Sequence, residues 1–121
     1  MRTEKQETGH AGEDLARSYL IEQGYTILDS NWQWGHLEVD VIALDGQQLV
    51  FVEVKTRASA AFGNPESAVT KQKQRNIIRA ANGYMTKFGY TYEVRFDIIS
   101  IVQNGQGTQI EHLKDAYSPN W

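Results

Sequence analysis

The spacing of hydrophobic residues along the chain predicts two long helices, four strands and a short C-terminal helix. Residues 9–23 form the first helix, because their apolar positions recur three and four residues apart and Gly24 is placed to end it. Gly12 falls inside the apolar face of this helix, which predicts close packing of the helix against a sheet. The other residues of that face are Leu15, Ala16, Tyr19 and Leu20.

Two neighbouring apolar segments, 37–44 and 49–57, predict a pair of antiparallel strands. Asp45-Gly46 lies between them, and this dipeptide is a strong hairpin signal when apolar runs flank it. A two-residue loop at Asp45-Gly46 pairs Asp40 with Phe51 across the hairpin. A three-residue loop would turn the charged residues of one strand toward the valines of the other.

This pairing gathers polar side chains on one face of the hairpin, since cross-strand neighbours share a face. The charged face carries Glu38, Asp40, Glu53 and Lys55. The opposite face carries Val39, Val41, Val50, Val52 and Val54. Three carboxylates in a small area repel one another, and a divalent cation is a common solution. A Glu–Lys pair at a solvated strand edge explains the same spacing without a ligand.

The second half of the chain predicts a helix over about 70–88 and a strand over 92–102. The end of this strand is apolar on both faces and follows a helical crossover, so we expect it to pair in parallel with an earlier strand. The segment Gln109–Tyr117 is predicted to form a short amphipathic helix. The apolar face of the long helix comprises Ile77, Ile78, Ala81, Tyr84, Met85 and Phe88.

Length and composition favour one α/β domain in 121 residues, with a core over about 9–102 and a C-terminal extension over 103–121. The chain has no cysteine, which excludes disulfides, thiolate metal sites and a thiol nucleophile. It has no apolar run of membrane-spanning length, and its first residues are too polar for a signal peptide. We therefore expect a soluble cytoplasmic protein without a membrane partner.

The distribution of charge indicates an anionic partner more strongly than the net charge of −3 does. The first 54 residues carry ten acids and three bases, whereas residues 55–87 carry seven bases and the single acid Glu66. A basic segment beside a carboxylate cluster suits the phosphates of a nucleic acid, although a solvated helix face has the same composition. The candidate phosphate-binding residues are Arg57, Lys71, Lys73 and Arg75.

Other residues have both a functional and a structural interpretation. Glu13 lies at the margin of the first apolar face, where it either reaches the charged site or interacts with the helix dipole. Gln74 and Lys73 either approach a phosphate or the attacking water, or cap the core. His36 is either a metal ligand or a hydrogen-bonding neighbour of the carboxylates.

Trp32 and Trp34 lie in the predicted strand 25–34, and they either stack on nucleic-acid bases or pack against the protein. Residues 57–69 lack periodicity, which predicts a long loop beside the site.

The order of Asp40, a hairpin and Glu53-x-Lys55 resembles the D…(D/E)-x-K signature of restriction-endonuclease-like nucleases. The wider sequence is similar to the YraN-like family of small bacterial proteins, whose function is uncharacterised. The likeness extends over about residues 12–102, and it departs from the family pattern at Leu37, where glycine is frequent. The similar segments are Gly12–Ala16, Gly24–Leu28, Asn31-Trp32, Glu38–Asp40, Val50–Arg57, Phe62–Glu66 and Arg95–Asp97.

The resemblance implies a restriction-endonuclease-like fold, with a mixed central sheet flanked by helices in the order αβββαβ. It also implies a nuclease in which Asp40 and Glu53 hold Mg²⁺ or Mn²⁺ and Lys55 positions the attacking water. Glu38, Glu13 and Gln74 complete the candidate catalytic set. The substrate is nucleic acid, with DNA and branched DNA favoured, and relatives that cut junctions act as homodimers. The alternatives are a nucleic-acid-binding module without cleavage and an adaptor domain with a structural charge cluster.

Overall fold

The computed structural model describes residues 4–58 and 69–119, and it describes side chains of the first helix from Ala11 onward. The predicted long loop lies mostly outside these residues. None of the described helices is long and apolar enough to cross a lipid bilayer. The elements are α1 (Glu4–Glu22), β1 (Thr26–Trp34), β2 (Leu37–Asp45), β3 (Gln48–Arg57), α2 (Lys71–Phe88), β4 (Glu93–Asn104) and β5 (Gly107–Tyr117).

The five strands form one mixed sheet in the order β1-β2-β3-β4-β5. Strands β3 and β4 are parallel and the other neighbours are antiparallel, so the predicted parallel pairing after a crossover is confirmed. Helix α2 is that crossover. The predicted fold class is confirmed, and the order of elements is consistent with restriction-endonuclease-like proteins.

The predicted helix over Gln109–Tyr117 is wrong, because this segment belongs to strand β5. The Asn104 side chain accepts a hydrogen bond of 2.8 Å from the backbone of Gln106, and this turn returns the chain alongside β4. Ile110 packs against the hydrophobic residues between α1 and the sheet, whereas Leu113 packs against those between α2 and the sheet. Their three-residue spacing therefore places them on opposite faces of a strand.

The hairpin forms as predicted, but its predicted pairing is wrong by two positions. The loop is Gly46-Gln47, with a φ of 61° at Gly46, and glycine at the first loop position suits a type II′ turn. Asp45 stays in β2, where its carboxylate accepts a hydrogen bond of 2.8 Å from Arg95. The observed pairs include Val41↔Val52, Ile42↔Phe51, Leu44↔Leu49 and Asp45↔Gln48.

Two hydrophobic layers cover the sheet, one beneath each helix. Ala16 and Leu20 of α1 pack with Val41, Val50 and Val52, as the alternation predicts. The α2 layer contains Leu37, Val39, Ile42, Phe51, Ile77, Ala81, Tyr84 and Phe96.

Strand β2 does not alternate regularly, because Val39 packs in the α2 layer although Val41 packs in the α1 layer. The prediction that Val39 shares the face of Val41 is therefore wrong. In β1, Asn31 lies between the residues that pair with Val39 and Val41, and its φ is 51°. The interruption coincides with Asp40, whose Oδ2 accepts a hydrogen bond of 2.8 Å from the backbone N–H of Val54.

Helix α1 begins at Glu4, earlier than predicted, and lies directly on the end of β3 at Gly12. A Cβ atom at Gly12 would lie 2.0 Å from Oγ1 of Thr56, so the predicted close packing is confirmed. This contact places Glu13 next to the start of β2 and the end of β3.

Candidate metal centre

Three carboxylates meet where the start of β2 approaches α1. Glu13, Glu38 and Asp40 each offer an oxygen, and these oxygens all lie within 4.8 Å of one another. We call these three residues the carboxylate cluster. Two of them lie at i and i+2 on β2, and the third reaches the strand because Gly12 allows α1 to approach closely. The structure therefore brings Glu13 together with residues far from it in sequence.

Glu53 lies on the neighbouring strand between two lysines. Its side chain is 4% exposed, and its Oε1 lies 3.5 Å from Nζ of Lys55 and 3.7 Å from Nζ of Lys73. Lys55 is on the same strand, whereas Lys73 comes from the first turn of α2. The cap of α2 fixes this turn, because the Thr70 hydroxyl accepts a hydrogen bond of 3.2 Å from the Lys73 backbone.

Asp40 connects the carboxylate cluster electrostatically to Glu53. Burial raises the pKa of Asp40 to about 8, and the negative charges of Glu53 and Glu13 act in the same direction. Burial also raises the pKa of Glu53, although Lys73 and Lys55 oppose this effect. A raised pKa in neighbouring buried carboxyl groups means that the folded chain disfavours full ionisation of the site unless another positive charge enters it.

Two carboxylate oxygens of the site are buried and have no hydrogen-bond partner among the described residues. They are Oε2 of Glu13 and Oε2 of Glu53. Buried polar atoms in folded proteins are normally paired, and an unpaired oxygen costs about 1–3 kcal/mol. The donor set is made only of oxygen, which suits hard cations such as Mg²⁺ and Mn²⁺. The residues present therefore fit a divalent cation.

The structure separates the remaining predicted site residues into different positions. Gln74 donates a hydrogen bond of 3.2 Å to the carbonyl oxygen of Val69, so its amide is engaged at the start of α2. Arg57 donates a hydrogen bond of 3.2 Å to the hydroxyl of Ser100 on β4. Lys71 and Arg75 are exposed on α2.

His36 is exposed in the turn between β1 and β2. It is not one of the three grouped metal-ligating residues that the described part of the chain provides. The structure therefore gives no support to a metal-binding role for this histidine.

A second polar network, which sequence reasoning missed, lies in the α1 layer around Asp97. The Asp97 side chain is fully buried and accepts hydrogen bonds from Nε and Nη2 of Arg95 at 2.9 and 3.0 Å. It also accepts from Nε2 of His112 at 2.7 Å and from the backbone of Asp115 at 3.0 Å. Burial alone would raise the pKa of Asp97, but the bonds from His112 and Arg95 outweigh it and the pKa is lowered.

This network joins β4 to β5 and to the β2–β3 hairpin. Arg95-x-Asp97 in an apolar strand was a usable signal, since two charges on one buried face need partners. His112 gave no such signal, because the sequence placed it in a helix. Its contact with Asp97 depends on the pairing of β5 with β4.

Comparison with known proteins places the chain in a family. Residues 12–101 match the model of the uncharacterised protein family UPF0102. A UPF0102 protein of Phocaeicola vulgatus is 44% identical over 119 residues, which cover 98% of each chain. One of Bacteroides thetaiotaomicron is 44% identical over 96% of each chain. One of Chlorobium chlorochromatii is 47% identical over 92% of this chain and 91% of the relative. The chain therefore belongs to the uncharacterised protein family UPF0102.

Proposed function

We propose that this protein is a divalent-cation-dependent nuclease that hydrolyses phosphodiester bonds in nucleic acid. The observation that carries the proposal is the Glu53 carboxylate, which is 4% exposed and lies between two lysines. One of its oxygens has no partner among the described residues, and Asp40 lies beside it with a strongly raised pKa. Groups perturbed by burial and by specific charges concentrate at functional sites.

Asp40 and Glu53 would hold the cation, and Glu13 and Glu38 would act as auxiliary carboxylates. The cation, when bound, would stabilise negative charge on the phosphoryl oxygens and make water a better nucleophile. The unpartnered oxygens of Glu13 and Glu53 support this assignment, because no described protein group donates a hydrogen bond to them and their lone pairs are free to bind a cation.

Lys55 is the residue to which we assign contact with the reacting phosphate. Its side chain is 36% exposed, whereas that of Glu53 is 4% exposed, so the ammonium group lies on the accessible side of the ion pair. A positive charge held there stabilises charge that develops on the phosphate and orients a water for attack. Lys73 of α2 supplies a second ammonium group near the same oxygen of Glu53.

The second candidate is a nucleic-acid-binding module without cleavage. The ion pairs of Glu53 with Lys55 and Lys73 favour it, because two lysines balance this carboxylate without a cation. The two candidates share the basic surface of α2 and differ only in whether the carboxylates support hydrolysis.

A cleavage screen with purified protein separates the two candidates. Single-stranded, duplex, flapped and four-way-junction DNA and structured RNA are each incubated with Mg²⁺, Mn²⁺ or EDTA. We expect cation-dependent cleavage of one substrate class, and we expect Glu53→Gln and Lys55→Ala each to lower the rate by about a hundredfold or more. Asp14→Asn is the matched control, because Asp14 is exposed, lies next to Glu13 and pairs with Arg17.

Cleavage that survives in Glu53→Gln would come from another site or from a contaminant. A complete lack of cleavage, with binding of nucleic acid retained, would contradict the nuclease and favour the binding module.

A further inference from the structure

A basic groove extends along α2 from the region of Glu53. Its first part is a cleft of about 600 Å³ lined by Lys71, Gln74, Arg75, Ile78, Arg79 and Tyr117. Its second part is a cleft of about 350 Å³ lined by Trp34, Arg79, Asn82, Gly83 and Thr86. Arg79 lines both clefts, the first at the β5 edge of the sheet and the second at the β1 edge. We call the two clefts together the α2 groove.

The charge of the α2 groove is positive throughout. Helix α2 carries five lysines and arginines and no carboxylate, in a chain whose net charge is −3. Lys71, Arg75 and Arg79 follow one another at intervals of four residues, which is a spacing of about 6 Å along the helix. In the described part of the chain, no carboxylate lies within ion-pair distance of these three residues. Such a row is complementary to a regularly spaced polyanion.

An aromatic surface lies at the far end of the groove. Trp34 is 44% exposed, and its ring packs on Gly83, where a Cβ atom would lie 2.6 Å from the ring. It also stacks on Trp32, with ring centres 5.9 Å apart, so that both tryptophans pack as one unit. Stacking on an aromatic side chain requires a base with a free face, which a single strand offers and the interior of a duplex does not.

The near end of the groove begins on the turn of α2 that also contacts Glu53. Lys73, which pairs with Glu53, lies on the same turn of α2 as Lys71 and Gln74. The hydroxyl of Tyr117 is buried and has no partner among the described residues. Burial raises the pKa of Tyr117, and the negative charge of Glu53 acts in the same direction.

We infer that the α2 groove binds a single-stranded segment of nucleic acid and leads it to Glu53. Its phosphates contact Lys71, Arg75 and Arg79, and one unpaired base stacks at Trp34. The inference rests on the proposed function, since it names the substrate class of that same site. Substrates with unpaired nucleotides, such as tails and flaps, follow from it.

The test is equilibrium binding in EDTA, where cation-dependent cleavage does not occur. Fluorescence anisotropy compares a labelled single strand of about 12 nucleotides with the blunt duplex of the same sequence. We expect the single strand to bind about tenfold more tightly or better. We also expect Arg75→Glu combined with Arg79→Glu to weaken its binding at least about tenfold and to reduce the salt dependence by about 1.4 in logarithmic slope. Trp34→Ala should weaken it by about 5- to 100-fold.

Lys87→Glu is the matched control, because Lys87 is on the same helix and lines neither cleft. The arginine variants change exposed side chains, so they test the groove even if circular dichroism shows that Trp34→Ala is unfolded. Equal affinity for the duplex, no binding of the single strand, or an equal loss in Lys87→Glu would each overturn the inference. Preferential single-strand binding without cleavage under any cation would support the groove and contradict the nuclease. Cation-dependent cleavage together with equal binding of the single strand and the duplex would support the nuclease and contradict the groove.

Discussion

Replacing Asp40 by asparagine is expected to abolish cation-dependent cleavage and to raise the stability of the metal-free protein. Cleavage should fall by more than about a hundredfold, since altering even the outer partners of a metal ligand costs 10- to 100-fold. The amide oxygen of asparagine still accepts the hydrogen bond that the Val54 backbone donates to Asp40. Stability should rise because the variant removes a buried carboxyl group that the fold disfavours in its ionised form.

The stability gain should depend on pH in a defined direction. The pKa of Asp40 is raised from 3.8 to about 8 on folding, so the folded chain binds a proton more tightly than the unfolded chain. Between these two values the stability of the metal-free wild type therefore falls as the pH rises. We expect the wild type and Asp40→Asn to have similar stability near pH 4. Near pH 8 we expect the variant to be more stable than the wild type by at least about 2 kcal/mol.

Thermal unfolding in EDTA at both ends of this pH range measures the effect, with a shift of several degrees expected at the alkaline end. Asp14→Asn, which changes an exposed carboxylate, should show no such dependence. A variant less stable than the wild type near pH 8 would contradict the burial and repulsion that we assign to Asp40.

Replacing Asp97 by alanine is expected to destabilise the fold by about 3–5 kcal/mol, the usual cost of removing one partner of a buried ion pair, because Arg95 would keep only the partly exposed Asp45 as an acidic partner. Arg95 would lose two hydrogen bonds and His112 one, and all of these groups lie in the interior between β4 and β5. The melting temperature should fall by more than about 10 °C. Denaturation by urea measures the loss.

Glu111→Ala on the exposed face of β5 is the control for Asp97→Ala, and we expect it to change stability by less than about 0.5 kcal/mol. The lowered pKa of Asp97 also sets a pH dependence. Its stabilising effect is complete above the ordinary carboxyl pKa of about 4 and is lost as the pH falls below it, so the gap between wild type and variant should narrow in acid. A loss below about 1 kcal/mol at neutral pH would contradict the role of this network.

From Val41 onward, the sequence was sufficient to predict which side chains of the hairpin share a face, because the alternation of side chains along a strand depends only on whether their spacing is even or odd. The observed pairing differs from the predicted one by two positions, and a shift of two leaves Ile42, Phe51 and Glu53 on one face. The size of the shift was not predictable, since the bond from Arg95 that keeps Asp45 in β2 comes from a distant strand. Strand β5 was missed for another reason, because its apolar residues recur at helical spacing although the segment pairs with β4.

The candidate site was predictable in its residue types and less so in its grouping. The hairpin pattern grouped Glu38, Asp40, Glu53 and Lys55, and the resemblance selected Asp40 and Glu53 as ligands. The structure groups Asp40 with Glu38 and Glu13 and places Glu53 beside two lysines. The irregularity of β2 at Asp40 puts Val39 and Val41 on opposite faces of the sheet, and no residue type in the sequence signals it. The contact of Lys73 with Glu53 depends on the position of α2 over the sheet.

A calorimetric titration of Mn²⁺ into the wild-type protein near pH 7 tests most directly whether these carboxylates hold a divalent cation. The titration is carried out in two buffers of different ionisation enthalpy. We expect saturable binding with release of protons, because the cation displaces the proton that the raised pKa of Asp40 retains. Binding should be lost in Asp40→Asn and retained in Asp14→Asn. Absence of binding in the wild type, or equal binding in Asp40→Asn, would contradict the account.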